Sequence, residues 1–362
     1  MSEPVRVLVV DDSALMRKLI PQIIERDSSI QVVGTAMDGE FALKKMDELK
    51  PDVVTLDLDM PRMDGMETLR LIVRNHKVPV IIVSAHTTQG ASATFKALAS
   101  GAFDFVAKPK DAASAHMEDI SQELIGKIKV ASQSNVSQAA NPAIVLSEPR
   151  RAAKPAAKPK RAPSKIVAIG ISTGGPNALQ YVLSQLPGDF PGSILVVQHM
   201  PEGFTELFAR RLDECCAIDV KEAQSGDLIV AGRALICPGN RHMKVKRMPL
   251  GDIIVLSDDD RVNGHRPSVD VLFRSVAQEF GNNSLAVIMT GMGEDGAEGM
   301  NAIKRAGGMT VAQSEDSCVV FGMPKAAIER GYAIRVVPLD AMANTLQAQC
   351  TQAVRAAATV KA

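Results

Sequence analysis

At 362 residues the chain exceeds one ordinary domain and suits two of typical size. Hydrophobic residues make up 46% and charged residues 23%, and 41 Lys and Arg balance 41 Asp and Glu, so no global charge points to nucleic acid or to a membrane surface. The five cysteines all lie beyond residue 200 without paired metal spacing and read as reduced thiols, no apolar run reaches the ~18 residues of a membrane span, and Met-Ser-Glu-Pro does not open a signal peptide. A cytoplasmic protein, not inserted in a membrane, is expected.

From residue 5 to about 130, strand and helix patterns alternate. Strands are expected at Val5–Val10, Gln31–Ala36, Asp52–Asp57, Pro79–Ser84 and Phe103–Ala107, with helices between them. Leu15, Leu19, Ile20, Ile23 and Ile24 recur on one helical face, as do Met117, Ile120, Leu124, Ile125 and Ile128 near the end. Successive βα units of this size predict a five-stranded parallel sheet covered on both faces, with ligands beyond the C-terminal strand ends. Those ends carry Asp11 and Asp12, Asp57, Ser84, and Lys108-Pro109. Three carboxylates converging on one edge repel unless a cation sits among them, and an all-oxygen donor set favours Mg²⁺. With Lys108 beside them, the group suits a phosphoryl held on one carboxylate. Taken singly, each Asp is more often a helix cap or a turn residue.

VVDDS, LDLDMPRMDG around Asp57, Ser84-Ala85 and FDFVAKP together resemble the receiver domains of two-component response regulators over roughly the first 125 residues. The resemblance implies a flavodoxin-like fold in which Asp57 accepts the phosphoryl group and Asp11 and Asp12 hold Mg²⁺ with it. It further implies that Ser84 and Lys108 contact the phosphoryl group and that Phe105 is the aromatic that repacks on activation. A histidine kinase would be the donor.

From about 131 to 164 Ser, Gln, Asn, Ala and Pro dominate, and AAKPAAKPKRAPSK contains five Lys or Arg and no acid. This is the composition of a solvated tether, with a short apolar piece at Ala143–Leu146 that could dock. An acidic or nucleic-acid partner is the functional alternative for the basic run. The domain division is therefore 1–130, a linker at 131–164, a second domain at 165–350, and an Ala-rich tail at 351–362 expected to fray.

The second domain is again α/β. Strands are expected at Lys165–Ile171, Ser193–Gln198, Leu228–Ile236, Ile253–Leu256, Leu285–Thr290, Met309–Ala312 and Ala333–Val337. Helices are expected at Ala178–Gln185, Thr205–Glu214, Ser268–Phe280, Gly296–Ala306 and Pro324–Arg330. Gly226 to Gly264, with Pro238-Gly239 and Asn263-Gly264, reads as hairpins inserted in the alternation. The expectation is a doubly wound, mostly parallel sheet.

KIVAIGISTGGPNALQ sets Ser172 on the turn between a buried strand and a helix that starts near Pro176. Backbone N–H groups and the helix dipole there favour developing negative charge. Gly170 to Gly174 also matches the G-x-S-x-G string of nucleophile elbows. Ser172 could instead cap the helix, or the glycines could bind a phosphate.

A nucleophile needs a base and a group to orient it. Of six histidines, His199 alone follows a buried strand directly, on the edge that carries Ser172. Another edge is TGMGEDG, where Glu294 and Asp295 both offer a carboxylate. His265 in GHRPSVD could line the cleft with Arg266. The order Ser, His, Asp argues against the α/β-hydrolase fold, where the acid precedes the histidine.

GISTGGP, QHMPEGFTELFARRL, HRPSVDVLF, TGMGEDGAEGM and FGMPKAA stand in the order found in chemotaxis protein-glutamate methylesterases (CheB), which the second half resembles; with the receiver and linker the likeness covers essentially the whole chain. The resemblance implies Ser172 as nucleophile, His199 as base and Asp295 as its partner, with Glu294 the nearest rival. Met292 would give a backbone N–H to the oxyanion and Thr173 would support the cleft. The catalytic domain would need no cofactor. The implied activity is removal of methyl esters from glutamates of methyl-accepting chemoreceptors, with deamidation of receptor glutamines, by a monomer switched on by phosphorylation. The alternatives are a receiver-regulated amidase or protease, a methylesterase of a pathway other than chemotaxis, a DNA-binding regulator, and a non-catalytic adaptor.

Overall fold

The computed structural model describes residues 3–85, 87–108, 117–133 and 161–360. Most of the expected linker, including Ala143–Leu146, lies outside these residues, as do His86, Pro109 and His116. The chain divides into two compact units, Met1–Val145 and Leu146–Ala362.

In the first unit β1 (Val5–Val10), β2 (Ile30–Ala36), β3 (Val53–Leu56), β4 (Val80–Ser84) and β5 (Asp104–Ala107) form one sheet. Its order is β2-β1-β3-β4-β5, and every pairing is parallel. This is the flavodoxin-like winding, which reverses direction between β1 and β3 and so opens a crevice at their C-terminal ends. The helices are α1 (Met16–Ile24), α2 (Gly39–Leu49), α3 (Gly65–Asn75), α4 (Thr88–Ala99) and α5 (Met117–Gln133). Asp38, Asp64 and Thr87 start α2, α3 and α4 by accepting from the N–H groups of Phe41, Glu67 and Gly90. The buried stripe of α1 is Met16, Ile20, Ile23 and Ile24; Leu15, expected on that face, precedes the helix and is 64% exposed.

The second unit holds seven parallel strands in the order β14-β13-β12-β6-β7-β9-β8. In chain order these are β6 (Ile166–Ile171), β7 (Ser193–Gln198), β8 (Asp219–Glu222), β9 (Arg233–Ile236), β12 (Ser284–Ile288), β13 (Met309–Gln313) and β14 (Arg335–Val337). β10 (His242–Lys246) and β11 (Ile253–Ser257) form the inserted antiparallel hairpin. The helices are α6 (Gly175–Ser184), α7 (Phe204–Cys215), α8 (Val269–Phe280), α9 (Ala297–Arg305), α10 (Met323–Glu329) and α11 (Leu339–Val360). Winding runs outward from β6 through β7 in one direction and resumes at β12 in the other, so the switch point lies between β6 and β12. All residues of β6 and β7 are buried, as strands covered on both faces must be.

α8 lies on this sheet with Val269, Leu272, Phe273 and Val276 in the core, beside Met243, Val245 and Ile254 of the hairpin. Its close approach requires Gly170, because a Cβ there would stand 2.2 Å from Val269 Cγ1.

Three further expectations differ from the structure. The strand expected over Leu228–Ile236 is confined to Arg233–Ile236, because Gly232 turns with φ +74° and Leu228 bridges Ile253 of the hairpin instead. The short edge strand β8, Asp-Val-Lys-Glu, was not anticipated; its charged alternation is what edge strands use against further pairing. The tail expected to fray beyond 351 continues as α11 to Val360, since an Ala-rich stretch propagates a helix already nucleated by packing.

Candidate functional site

In the first unit, Asp11 follows β1 and Asp57 follows β3, on either side of the switch point. Carboxylate oxygens of Asp11, Asp12 and Asp57 lie within 4.8 Å of one another. Asp11 and Asp57 are buried and Asp12 is exposed. Lys108, just beyond β5, places Nζ 2.9 Å from Asp11 Oδ2 and 2.7 Å from Asp57 Oδ2. One ammonium cannot neutralise three carboxylates. Burial pushes the Asp57 carboxyl above its ordinary pKa; the Asp11 charge adds to the rise and Lys108 opposes it. The hard, all-oxygen donor set and the uncompensated negative charge fit a divalent cation such as Mg²⁺.

Ser84 ends β4 and is buried. Phe105, on β5, is buried with its ring edge-on to Phe95 at a centroid distance of 6.4 Å. Gly65 lets α3 begin directly over the Asp57 loop, since a Cβ there would stand 2.2 Å from Asp57 O.

In the second unit, the register pairs Ile171 of β6 with Gln198 of β7. Ser172 and His199 are therefore the next residues on neighbouring parallel strands, about 5 Å apart across the sheet edge. The His199 N–H donates to Ile171 O at 3.1 Å. The N-cap of α6 is Gly174 at φ +74°, so Ser172 stands two residues before the N-cap and does not cap the helix. Its backbone is held from several directions. Ser172 N–H donates to Thr290 O at 3.0 Å, and Ser172 O accepts from Gly175 N–H at 2.8 Å and from Gln198 Nε2 at 3.0 Å. Thr290 Oγ1 donates to Thr173 O at 3.0 Å. Gly291 is needed beside it, because a Cβ there would lie 2.7 Å from Ser172 Cβ.

The loop after β12 carries Glu294 and Asp295, and the structure separates them. Glu294 faces outward with a 63% exposed side chain and pairs with Arg330. Asp295 faces inward and is 1% exposed. Its Oδ2 accepts from His199 Nε2 at 2.9 Å and from Val269 N–H at 2.7 Å, while Oδ1 accepts from Asn263 Nδ2 at 2.9 Å and Ser268 Oγ at 2.8 Å. It thus occupies the N-terminus of α8, where the helix field favours an anion. Burial alone would raise its pKa. The bond and charge of His199, with Asn263 and the Val269 N–H, outweigh burial and hold the carboxyl well below the usual range.

With Nε2 on Asp295, the other ring nitrogen of His199, Nδ1, is buried and has no hydrogen-bond partner among the described residues. Thr173 is buried, and its Oγ1 likewise has no partner there. Met292 lies between Gly291 and Gly293 (φ +85°), and its N–H has no protein acceptor among the described residues. The rim therefore joins a hydroxyl, an imidazole backed by an ionised carboxylate, and backbone donors, which is what acyl transfer requires.

Sequence reasoning did not assign Asn263, Ser268, Gln198 or Thr290 their bonds. Asn263-Gly264 carried only a turn signal, and Ser268 stood as an ordinary helix start. His265, considered as a cleft residue, stacks on His199 with ring centroids 3.9 Å apart. Arg266, considered with it, binds Asn240 Oδ1 at 2.8 Å and Asp258 O at 3.0 Å.

Residues 167–346 match the CheB methylesterase family, and residues 7–118 match the response regulator receiver domain. A protein-glutamate methylesterase/protein-glutamine glutaminase of Koribacter versatilis is 64% identical over 349 residues, covering 96% of this chain and 96% of that protein. One from Halalkalibacterium halodurans is 46% identical and covers 97% of this chain and 99% of its own length. Among solved structures, the CheB methylesterase catalytic domain of Thermotoga maritima superposes with a TM-score of 0.50 at 42% identity, covering 51% of this chain and 98% of that domain. Among the described residues no helix is long and apolar enough to cross a membrane.

Proposed function

The chain belongs to the CheB methylesterase family, with a response regulator receiver domain preceding the catalytic one, and on that premise we propose that Ser172, His199 and Asp295 hydrolyse glutamate methyl esters on chemoreceptors. Protein-glutamate methylesterase/protein-glutamine glutaminase is the activity that the relatives' names print, and both reactions are acyl transfers to water. The observation that carries the reading is the His199 ring: Nε2–H donates to a buried, ionised Asp295 and leaves Nδ1 as the basic, unpartnered nitrogen, on the strand end next to the one that carries Ser172.

The steps follow from that tautomer. Ser172 Oγ attacks the ester carbonyl as its proton passes to His199 Nδ1. Asp295 stabilises the imidazolium, and the Met292 N–H, with Thr173 shaping the cleft, receives the oxyanion; loss of one such donor typically costs ~10²–10³ in rate. The imidazolium then protonates the leaving methoxide, and methanol departs. Water, deprotonated by His199, adds to the acyl carbon, and the imidazolium returns that proton to Ser172 Oγ as the acyl–oxygen bond breaks and glutamate leaves. With a glutamine substrate the same steps release ammonia. No metal or cofactor takes part in this half.

In the first half Asp57 accepts a phosphoryl group from a histidine kinase. Asp11, Asp12 and Asp57 would hold Mg²⁺, which screens the carboxylates and the incoming phosphoryl when bound. Lys108 and Ser84 contact the phosphoryl oxygens, and repacking of Phe105 reports the event to the rest of the chain. The receiver spans 1–130, the linker 131–164 and the catalytic domain 165–350, in a monomeric cytoplasmic protein. Phosphorylation raises hydrolysis by shifting an equilibrium between a restrained and an active form of the two domains.

The test is release of labelled methanol from methyl-labelled receptor membranes, with and without acetyl phosphate. Release that rises with the phosphodonor and requires Ser172 is expected. Release unchanged in Ser172→Ala would overturn the mechanism.

A further inference from the structure

We propose that His265, carried by the loop between β11 and α8, is a positioning residue: its ring lies flat on His199 and fixes the plane in which Nδ1 meets Ser172. The two imidazoles are 9° from parallel with centroids 3.9 Å apart. This rests on the reading of Ser172, His199 and Asp295 as the reacting groups. The hydrogen bond from His199 Nε2 to Asp295 fixes one edge of the imidazole but leaves it able to rock about that contact. A stacked neighbour removes that freedom, which a proton transfer over a single hydrogen bond does not tolerate.

The loop that presents His265 is built to stay put. His265 N–H donates to Val262 O at 2.9 Å, and Val262 N–H returns the bond to His265 O at 3.1 Å. Below it, the fully buried His242 is bonded to Asp260 O through Nε2 at 3.0 Å and accepts from Ser268 N–H at Nδ1 at 3.2 Å. Asn263 of the same loop donates to Asp295, and also to Asp270 at 3.0 Å. One inserted segment thus grips both the base and its carboxylate, although it belongs to none of the strands that bear the reacting groups.

The charge state suits this role. Burial, with the charges of His199 and Arg261, lowers the His265 pKa to about 4 against a smaller opposing pull from Asp295. At neutral pH His265 is an uncharged aromatic face. It does not repel the imidazolium that forms on His199, and it excludes water from one side of that ring. The charged or titratable groups facing the pair are Asp295 and Arg261, with Asp270 reached through Asn263.

The experiment compares wild type, His265→Ala and His265→Phe as full-length protein with acetyl phosphate and methyl-labelled receptor membranes, reading kcat and KM separately. His265→Ala is expected to lower kcat by ~10–100-fold with KM little changed, the range for a misplaced reacting group. His265→Phe keeps a flat ring and should restore most of kcat. Wild-type kcat in His265→Ala would overturn the proposal, and so would a loss that Phe does not restore. Labelling by a serine-reactive phosphonate runs in parallel. An unlabelled Ser172 in wild type would break the triad reading itself, whereas a labelled wild type with an indifferent His265→Ala breaks only this inference.

Discussion

Asp57 and Asp295 are both aspartates at the C-terminal edge of a parallel sheet, both nearly inaccessible, and burial is the largest influence on each. Yet their pKa values move in opposite directions. Asp295 accepts from His199, Val269 N–H, Asn263 and Ser268, so its charge is fully solvated by protein. Asp57 has Lys108, which it shares with Asp11, and a long bond of 3.4 Å from Asp59 N–H. Burial therefore does not decide what a carboxylate does; the number and direction of donors do. A saturated carboxylate stays ionised, which suits the orienting role proposed for Asp295. An under-solvated one retains affinity for positive charge, which suits the cation and phosphoryl sites proposed at Asp57.

The contrast can be broken first where the effect is largest. Ser172→Ala should lower methanol release by at least about 10⁴-fold while Asp57 phosphorylation and thermal stability stay as in wild type. Asp295→Asn should lower kcat by about 10⁴-fold through the wrong His199 tautomer, and Glu294→Gln should change it little. If the Glu294 variant is the damaged one, the outward rotation of that side chain is wrong. Gly170→Ala forces α8, and with it the N–H of Val269, off the sheet; a loss of about 1–3 kcal/mol in denaturant unfolding is expected, with reduced activity. Asp57→Asn should retain basal hydrolysis and lose its response to acetyl phosphate, a span of about 5–150-fold for ordinary coupling energies.

The smallest effect is the sharpest on sign. Asp295, lowered in the fold, contributes stability that is complete above the ordinary carboxylate pKa of 3.8 and is lost as pH falls through its folded value. Asp57, raised in the fold, acts oppositely: without a bound cation it weakens its unit as pH rises from 3.8 through its folded value. In thermal melts the deficit of Asp295→Asn relative to wild type should therefore close in acid. Asp57→Asn should exceed wild type at neutral pH, with the excess closing in acid. Adding Mg²⁺ at 100-fold above its Kd should stabilise the wild-type receiver by about 2.7 kcal/mol and remove most of the Asp57→Asn advantage. Parallel shifts in the two variants would dissolve the distinction between the carboxylates.

Much of this was legible from local pattern. Short β-branched runs ending in Asp11, Asp57, Ser84, Ser172 and His199 placed those residues on strand ends, because strand length, burial and the breaking turn are all encoded within a few neighbouring positions. The two sheets, the inserted hairpin and the rim that gathers Ser172, His199 and the 290–296 loop followed from that. Leu15 and the final helix were misread for the converse reason: whether a residue at an element's end is buried depends on what packs there, not on its period.

What the chain's order alone settled, then, was which residue types reach which edge. Only tertiary structure chose between adjacent Glu294 and Asp295, because that choice depends on the left-handed turns at Gly293 and Gly296 and on a helix N-terminus contributed by residue 269. The stacking of His265 on His199 was hidden for the same reason, being a contact between an insertion and a strand end 66 residues apart in number. Strands arise from neighbours in sequence; the direction of a side chain and the solvation of its charge arise from neighbours in space.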